Sequence, residues 1–194
     1  MQTIISIDLE TRGQNPATCA IASIGVVIIT PNRDKNPKWF EAKWDISRES
    51  ALEYGEECPD TMAWWADQSE EAQRQLQGTI TIKHALTALS DVIESCVDDL
   101  KSMIVVARAP SFDCAILSRH YAAVFGTNAP WKYYQERDHR TYEEAYRSVC
   151  AAAGINYPSY KQAYPVAHDA LSDARNQALY LLHIQQMAVM ATRK

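Results

Sequence analysis

The stretch Thr3-Ile4-Ile5-Ser6-Ile7-Asp8-Leu9-Glu10-Thr11 decides the fold. Up to Leu9 it is apolar and mostly β-branched, which predicts a buried strand. Strand side chains alternate between faces, so Asp8 and Glu10 share one face and Ile7 and Leu9 the other. Two carboxylates side by side repel each other unless a cation lies between them. Oxygen-rich sites of this kind suit Mg²⁺ or Mn²⁺. An Asp-x-Glu arises by chance on the order of once in a chain this long, and a solvent-facing strand end is the plain alternative. The position gives the pair its weight: at the end of a very apolar strand an unpaired acidic couple is costly.

Working outward, Ala20 to Thr30 is a second β-branched run, and Lys38 to Ile46 alternates and carries Trp39, Phe40 and Trp44. The short connections, including a hairpin loop over 30–37, predict an antiparallel meander. Helices dominate afterwards. Apolar positions 82, 85, 86, 89, 92, 93, 96 and 97 form a helical stripe. Ser102 to Ala107 reads as a buried strand, Phe112 to Val124 as a helix and Trp131 to Tyr134 as a short strand. Thr141-x-x-Glu144 resembles a capping box opening a helix that ends at Gly154, and a last helix covers Ala170 to Met190. The order β-β-β-α-β-α-β-α-α predicts an α/β fold: a ribonuclease-H-like mixed sheet with helices on its faces.

The 194 residues suit a single domain over 1–194, and 47% hydrophobic with 22% charged residues is the balance of an ordinary globular chain. Five cysteines without a C-x-x-C pair argue against a disulfide framework or zinc site and for a reducing cytoplasm. No basic region precedes the first strand, so no signal peptide is expected, and no apolar run is long enough to span a membrane. The net charge of −5 is uneven: residues 1–60 sum to −4, 61–100 to −5 and 101–194 to +4. A basic C-terminal half can meet a phosphate backbone locally, but the chain is not one that coats long duplex DNA.

Two further motifs carry chemistry. Asp113, in Ser111-Phe112-Asp113-Cys114-Ala115, follows the predicted strand 102–107 and opens a helix. His168-Asp169-Ala170-Leu171-Ser172-Asp173 places Asp173 in the first turn of the last helix, with His168 just before it. Helix capping explains either motif alone, Asp169 being the natural N-cap. The other four histidines fall in no comparable constellation.

In this order and on this frame the residues resemble the DEDDh exonucleases of the DnaQ-like superfamily. The shared pattern is Asp-x-Glu on the first strand, Asp before a middle helix and His-x-x-x-x-Asp at the last. The segment Thr61-Met62-Ala63-Trp64-Trp65-Ala66-Asp67-Gln68-Ser69 is similar to the phage and bacterial branch that includes the DexA exonuclease and the mycobacterial DEDDh exoribonuclease. Asp138-His139-Arg140-Thr141 resembles the Asp-x-Arg-Thr segment of the same group. One stretch departs: relatives carry an Asn shortly before the middle Asp, where this chain has Ala107-Arg108-Ala109-Pro110-Ser111. That puts in question how a substrate phosphate or sugar is held beside Asp113.

The resemblance implies a 3′→5′ exonuclease acting on single-stranded RNA or DNA 3′ ends and releasing nucleoside 5′-monophosphates. It implies Asp8, Glu10, Asp113 and Asp173 as ligands of two Mg²⁺ or Mn²⁺ ions, Asp8 bridging them, and His168 as general base. Thr11 is expected to meet the terminal nucleotide. Trp64 and Trp65 project about 100° apart on a helix, so both cannot stack on one base; Trp65 is assigned to stacking and Trp64 to the core. Relatives commonly dimerise, which makes a homodimer a further expectation. Two alternatives share the fold: a non-catalytic nucleic-acid-binding or regulatory module, and an endonuclease of the ribonuclease-H type. The full set of five residues speaks against the first, and His168 five residues before Asp173 against the second.

Overall fold

The apolar opening stretch forms β1, Ile4–Thr11, which carries both acidic residues within the strand. The computed structural model describes residues 2–30, 37–156, 163–164 and 168–191. β1 pairs antiparallel with β2 (Ile21–Thr30), and β2 with β3 (Lys38–Asp45). The turn of the expected hairpin loop, 31–36, lies outside the described residues. Strands β4 (Ile104–Ala107) and β5 (Glu136–Asp138) add in parallel on the other side of β1, giving the order β3-β2-β1-β4-β5.

The central place of β1 explains its composition, because both of its faces are covered. Ile5, Ile7 and Leu9 enter the larger core with Leu86, Leu89 and Ile93 of the helix Ile82–Cys96 and Ile116 and Leu117 of the helix Asp113–Phe125. Ile4 turns the other way, with Val27, Ile29, Ile104 and Val106, onto Ala174, Ala178, Leu181 and Ile184 of the last helix, Ala170–Ala191. The helices in chain order are α1 (Arg48–Leu52), α2 (Pro59–Ala66), α3 (Glu70–Gln73), α4 (Ile82–Cys96), α5 (Asp113–Phe125), α6 (His139–Ala152) and α7 (Ala170–Ala191). A 3₁₀ turn, Arg74–Gln77, follows α3. No helix among the described residues is long and apolar enough to cross a membrane.

Two local expectations are corrected. Trp131 to Tyr134 is not a strand: Tyr133–Gln135 is a 3₁₀ turn, and β5 begins at Glu136. The Gln135 side chain sets this, accepting from Lys132 N (2.8 Å) and donating to Leu100 O (2.6 Å) and Met103 O (3.2 Å) at the approach to β4. Helix α6 starts at His139 and not at Thr141, because Asp138 is its cap and accepts the Arg140 N–H at 2.8 Å.

Candidate active site

Asp8 and Glu10 share the face of β1 that looks toward α7. Across the β1–β2 ladder, Asp8 is opposite Gly25. A β-carbon at Gly25 would lie 2.2 Å from the carbonyl carbon and oxygen of Ala170, well inside contact distance. Glycine therefore lets the first turn of α7 lie directly on the sheet, one turn before Asp173. The Ser6 hydroxyl donates to Ala174 O at 3.0 Å and fixes the helix at that height. From the edge strand, Lys43 pairs with Asp169, and Glu41 takes Arg175 through two hydrogen bonds of 2.8 and 2.5 Å. Asp169 caps the helix as expected, accepting Ser172 N–H at 2.9 Å.

The outcome is a cluster in which Asp8, Glu10 and Asp173 each offer a ligand atom, all within 4.8 Å of one another. Asp113 approaches from the first residue of α5. The paired stretch of β1 and β4 ends at Ser6–Val106, so the Leu9 N–H beyond it is open to a side chain. Asp113 Oδ1 accepts it at 3.1 Å, which holds that carboxylate against the backbone between Asp8 and Glu10.

The electrostatics follow from crowding. Burial pushes Asp8 well above the usual carboxylate range, and Asp113, Glu10 and Asp173 add to it. Burial, Asp173 and Asp113 raise Glu10 to about 8, and burial raises Asp113 to about 7. Asp173 is raised too, first by burial, while His168 works in the opposite direction. Four acids that resist joint ionisation are a site that a divalent cation would relieve, and an all-oxygen donor set suits Mg²⁺ or Mn²⁺.

His168 lies on the rim, exposed, with its backbone at φ 58°. Its ring meets Trp64 edge-on at 4.8 Å. The two tryptophans lie opposite to the expectation. Trp65 is 1% exposed and its Nε1 donates to Thr11 O at 3.0 Å, so it offers no free face to a base; Trp64 is 41% exposed. A helix that packs on the end of β1 buries whichever ring points inward, and residue spacing alone does not say which. Thr11 is buried as well: its hydroxyl donates to Gly13 O at 2.7 Å and its carbonyl takes Trp65.

Two glutamines outside the motifs also contribute. Gln177, one turn after Asp173, donates from Nε2 to Asp8 Oδ1 at 2.8 Å. The spacing 173/177 on one helix face was the available clue. Gln75 reaches the carbonyl of His168 from a distant turn. In the divergent 107–111 stretch, the Arg108 carbonyl accepts from the Arg140 guanidinium. The charge of Arg108 favours ionised Asp173, and that of Arg140 favours ionised Asp113.

A family model described as the 3'-5' exoribonuclease Rv2179c-like domain matches residues 3–185. No curated protein matches the chain. Among solved structures, exonuclease I from Methylocaldum szegediense is similar with a TM-score of 0.63 at 15% identity, over 98% of this chain and 42% of that one. The zinc-bound E. coli exonuclease I–ssDNA complex gives 0.61 at 15%, over 96% and 41%. Cell-death related nuclease 4 gives 0.60 at 13%, over 96% and 64%. At such identities these likenesses show a common fold. The chain spans less than half the length of the exonuclease I chains.

Proposed function

Since the chain belongs to the Rv2179c-like 3'-5' exoribonuclease domain family, we propose that it is a 3′→5′ exonuclease that removes nucleoside 5′-monophosphates from single-stranded nucleic acid. The observation that carries this reading is the convergence of Asp8, Glu10 and Asp173 within 4.8 Å, with Asp113 alongside. These four carboxylates would hold two Mg²⁺ or Mn²⁺ ions. Ions bound there would supply charge neutralisation for the attacked phosphodiester and for the leaving 3′ oxygen.

The chain's own groups supply the rest. His168 takes the proton of the attacking water; its exposed position on the rim leaves the imidazole open to water and substrate. Gln177 holds Asp8 through Oδ1, which would leave Oδ2 for an ion. Trp64, exposed beside His168, offers its ring to the terminal base in place of the buried Trp65. Thr11 shapes the floor through its hydrogen bonds to Gly13 and Trp65. We place this activity in one catalytic domain over 1–194 and in the cytoplasm, in keeping with five free cysteines.

A single strand labelled at its 5′ end and digested with Mg²⁺ tests the reading. We expect a ladder that shortens one nucleotide at a time from the 3′ end, for RNA, DNA or both. Internal fragments at the earliest times would instead assign an endonuclease.

A further inference from the structure

His168 adopts a backbone conformation that costs energy. Its φ of 58° lies in the left-handed region, which a residue with a side chain enters only when its surroundings compensate. The edge-on contact with Trp64 at 4.8 Å limits where the ring can go, but it does not fix the peptide from which the ring projects. The carbonyl of His168 is held by Gln75, which is 1% exposed, while the His168 N–H donates to the Asp173 carboxylate. Gln75 Nε2 donates to the carbonyl of His168 and to that of Ala72, the latter at 3.1 Å, and Oε1 accepts the Ala170 N–H at 3.4 Å. One buried amide therefore grips the backbone on both sides of Asp169.

The support of Gln75 is itself rigid. It belongs to the 3₁₀ turn Arg74–Gln77, 93 residues from His168 in the chain. Ser69 caps the preceding α3 by accepting Ala72 N–H at 3.2 Å, and Gln73 Nε2 donates to Gln68 O at 2.8 Å. Immediately after the turn comes Gly78, where a β-carbon would lie 2.1 Å from the carbonyl carbon and oxygen of Asp45 at the end of β3. The turn is thus pressed against the sheet edge and cannot follow His168 if that residue relaxes. Gln75 is a buried amide with three partners, and leaving such a group unpaired is costly.

The geometry points to Gln75 as the positioning residue of His168: its side-chain amide holds the His168 peptide left-handed and keeps the imidazole beside Asp173. This inference rests on the proposed role of His168 as general base. A base acts only from a narrow range of positions, so a peptide free to leave the left-handed region places the ring correctly for a small fraction of the time.

The test compares wild type, Gln75→Glu, Gln75→Met and His168→Ala on a single-stranded oligonucleotide, reading kcat, KM and the Mg²⁺ concentration for half-maximal rate. Gln75→Glu keeps the bulk and the acceptor for Ala170 but loses both donated bonds; Gln75→Met loses all three. We expect kcat to fall about 10–100-fold in both Gln75 variants, as for other groups that orient a reacting residue. KM and the Mg²⁺ requirement should stay within about twofold of wild type, the signature of an interaction that matters in the transition state. Wild-type kcat in the Gln75 variants, with His168→Ala impaired, overturns the proposal. So does parallel loss of kcat, KM and metal response, or unfolding of both variants, because Gln75 would then serve the fold. Full activity in His168→Ala instead defeats the general-base reading, an outcome the four-protein comparison keeps separate.

Discussion

Asp8 and Glu10 share a difficulty: each is pressed against other carboxylates in a place that water reaches poorly. Glu10 shows what that implies for pH. Its pKa is held at about 8 in place of 4.5, first by burial and then by Asp173 and Asp113. Between those values the folded protein keeps a proton that the unfolded chain releases. Without metal, stability present at low pH is therefore lost as pH rises through this window, by on the order of a few kcal/mol. Thermal melts in EDTA from about pH 5 to 8 should show this decline, with Glu10→Gln flattening it and saturating Mg²⁺ abolishing it. A wild-type slope no steeper than that of Glu10→Gln would contradict the assignment of repulsion to this site. At this scale the sequence was informative about acids and poor about amides. Alternation on a strand brings Asp8 and Glu10 together without knowledge of the fold. Gln75 acts through contacts that only tertiary structure creates; Gln177 shares a helix face with Asp173, but an amide carries no charge signal of its own.

Among elements, α7 matters most, since it delivers Asp173 to the sheet. Its seat depends on Gly25, opposite Asp8, where a β-carbon would come within 2.2 Å of the Ala170 peptide. Gly25→Ala should lift the first turn of α7, destabilise the protein by at least about 1–3 kcal/mol and lower nuclease activity more than stability alone explains. Denaturant titration beside an activity assay checks this; wild-type values in both would show that the helix does not need that close approach. The elements themselves were largely legible, because β1, β2, β3, α4 and α7 carry strong periodic patterns. What escaped was set by side chains reaching outside their own segment. Gln135 turns 133–135 away from strand geometry, Asp138 starts α6 early, and the packing of α2 on Thr11 buries Trp65 and leaves Trp64 outside. Spacing showed that the two rings diverge, but not which one faces inward.

For the whole molecule, the mixed sheet β3-β2-β1-β4-β5 puts β1 in the middle and so gathers residues from the start, centre and end of the chain. That is why Asp8, Glu10, Asp113, His168 and Asp173 carry so little weight singly and so much in order. This gathering is what would make the protein a metal-dependent exonuclease. Metal-stripped wild type and Asp8→Asn, each returned to Mg²⁺ and given the same single strand, test it most directly, with the products resolved as free nucleotides. We predict that wild type recovers release of nucleoside 5′-monophosphates and that Asp8→Asn does not. Equal release by both proteins, or release by wild type in EDTA, would contradict the account.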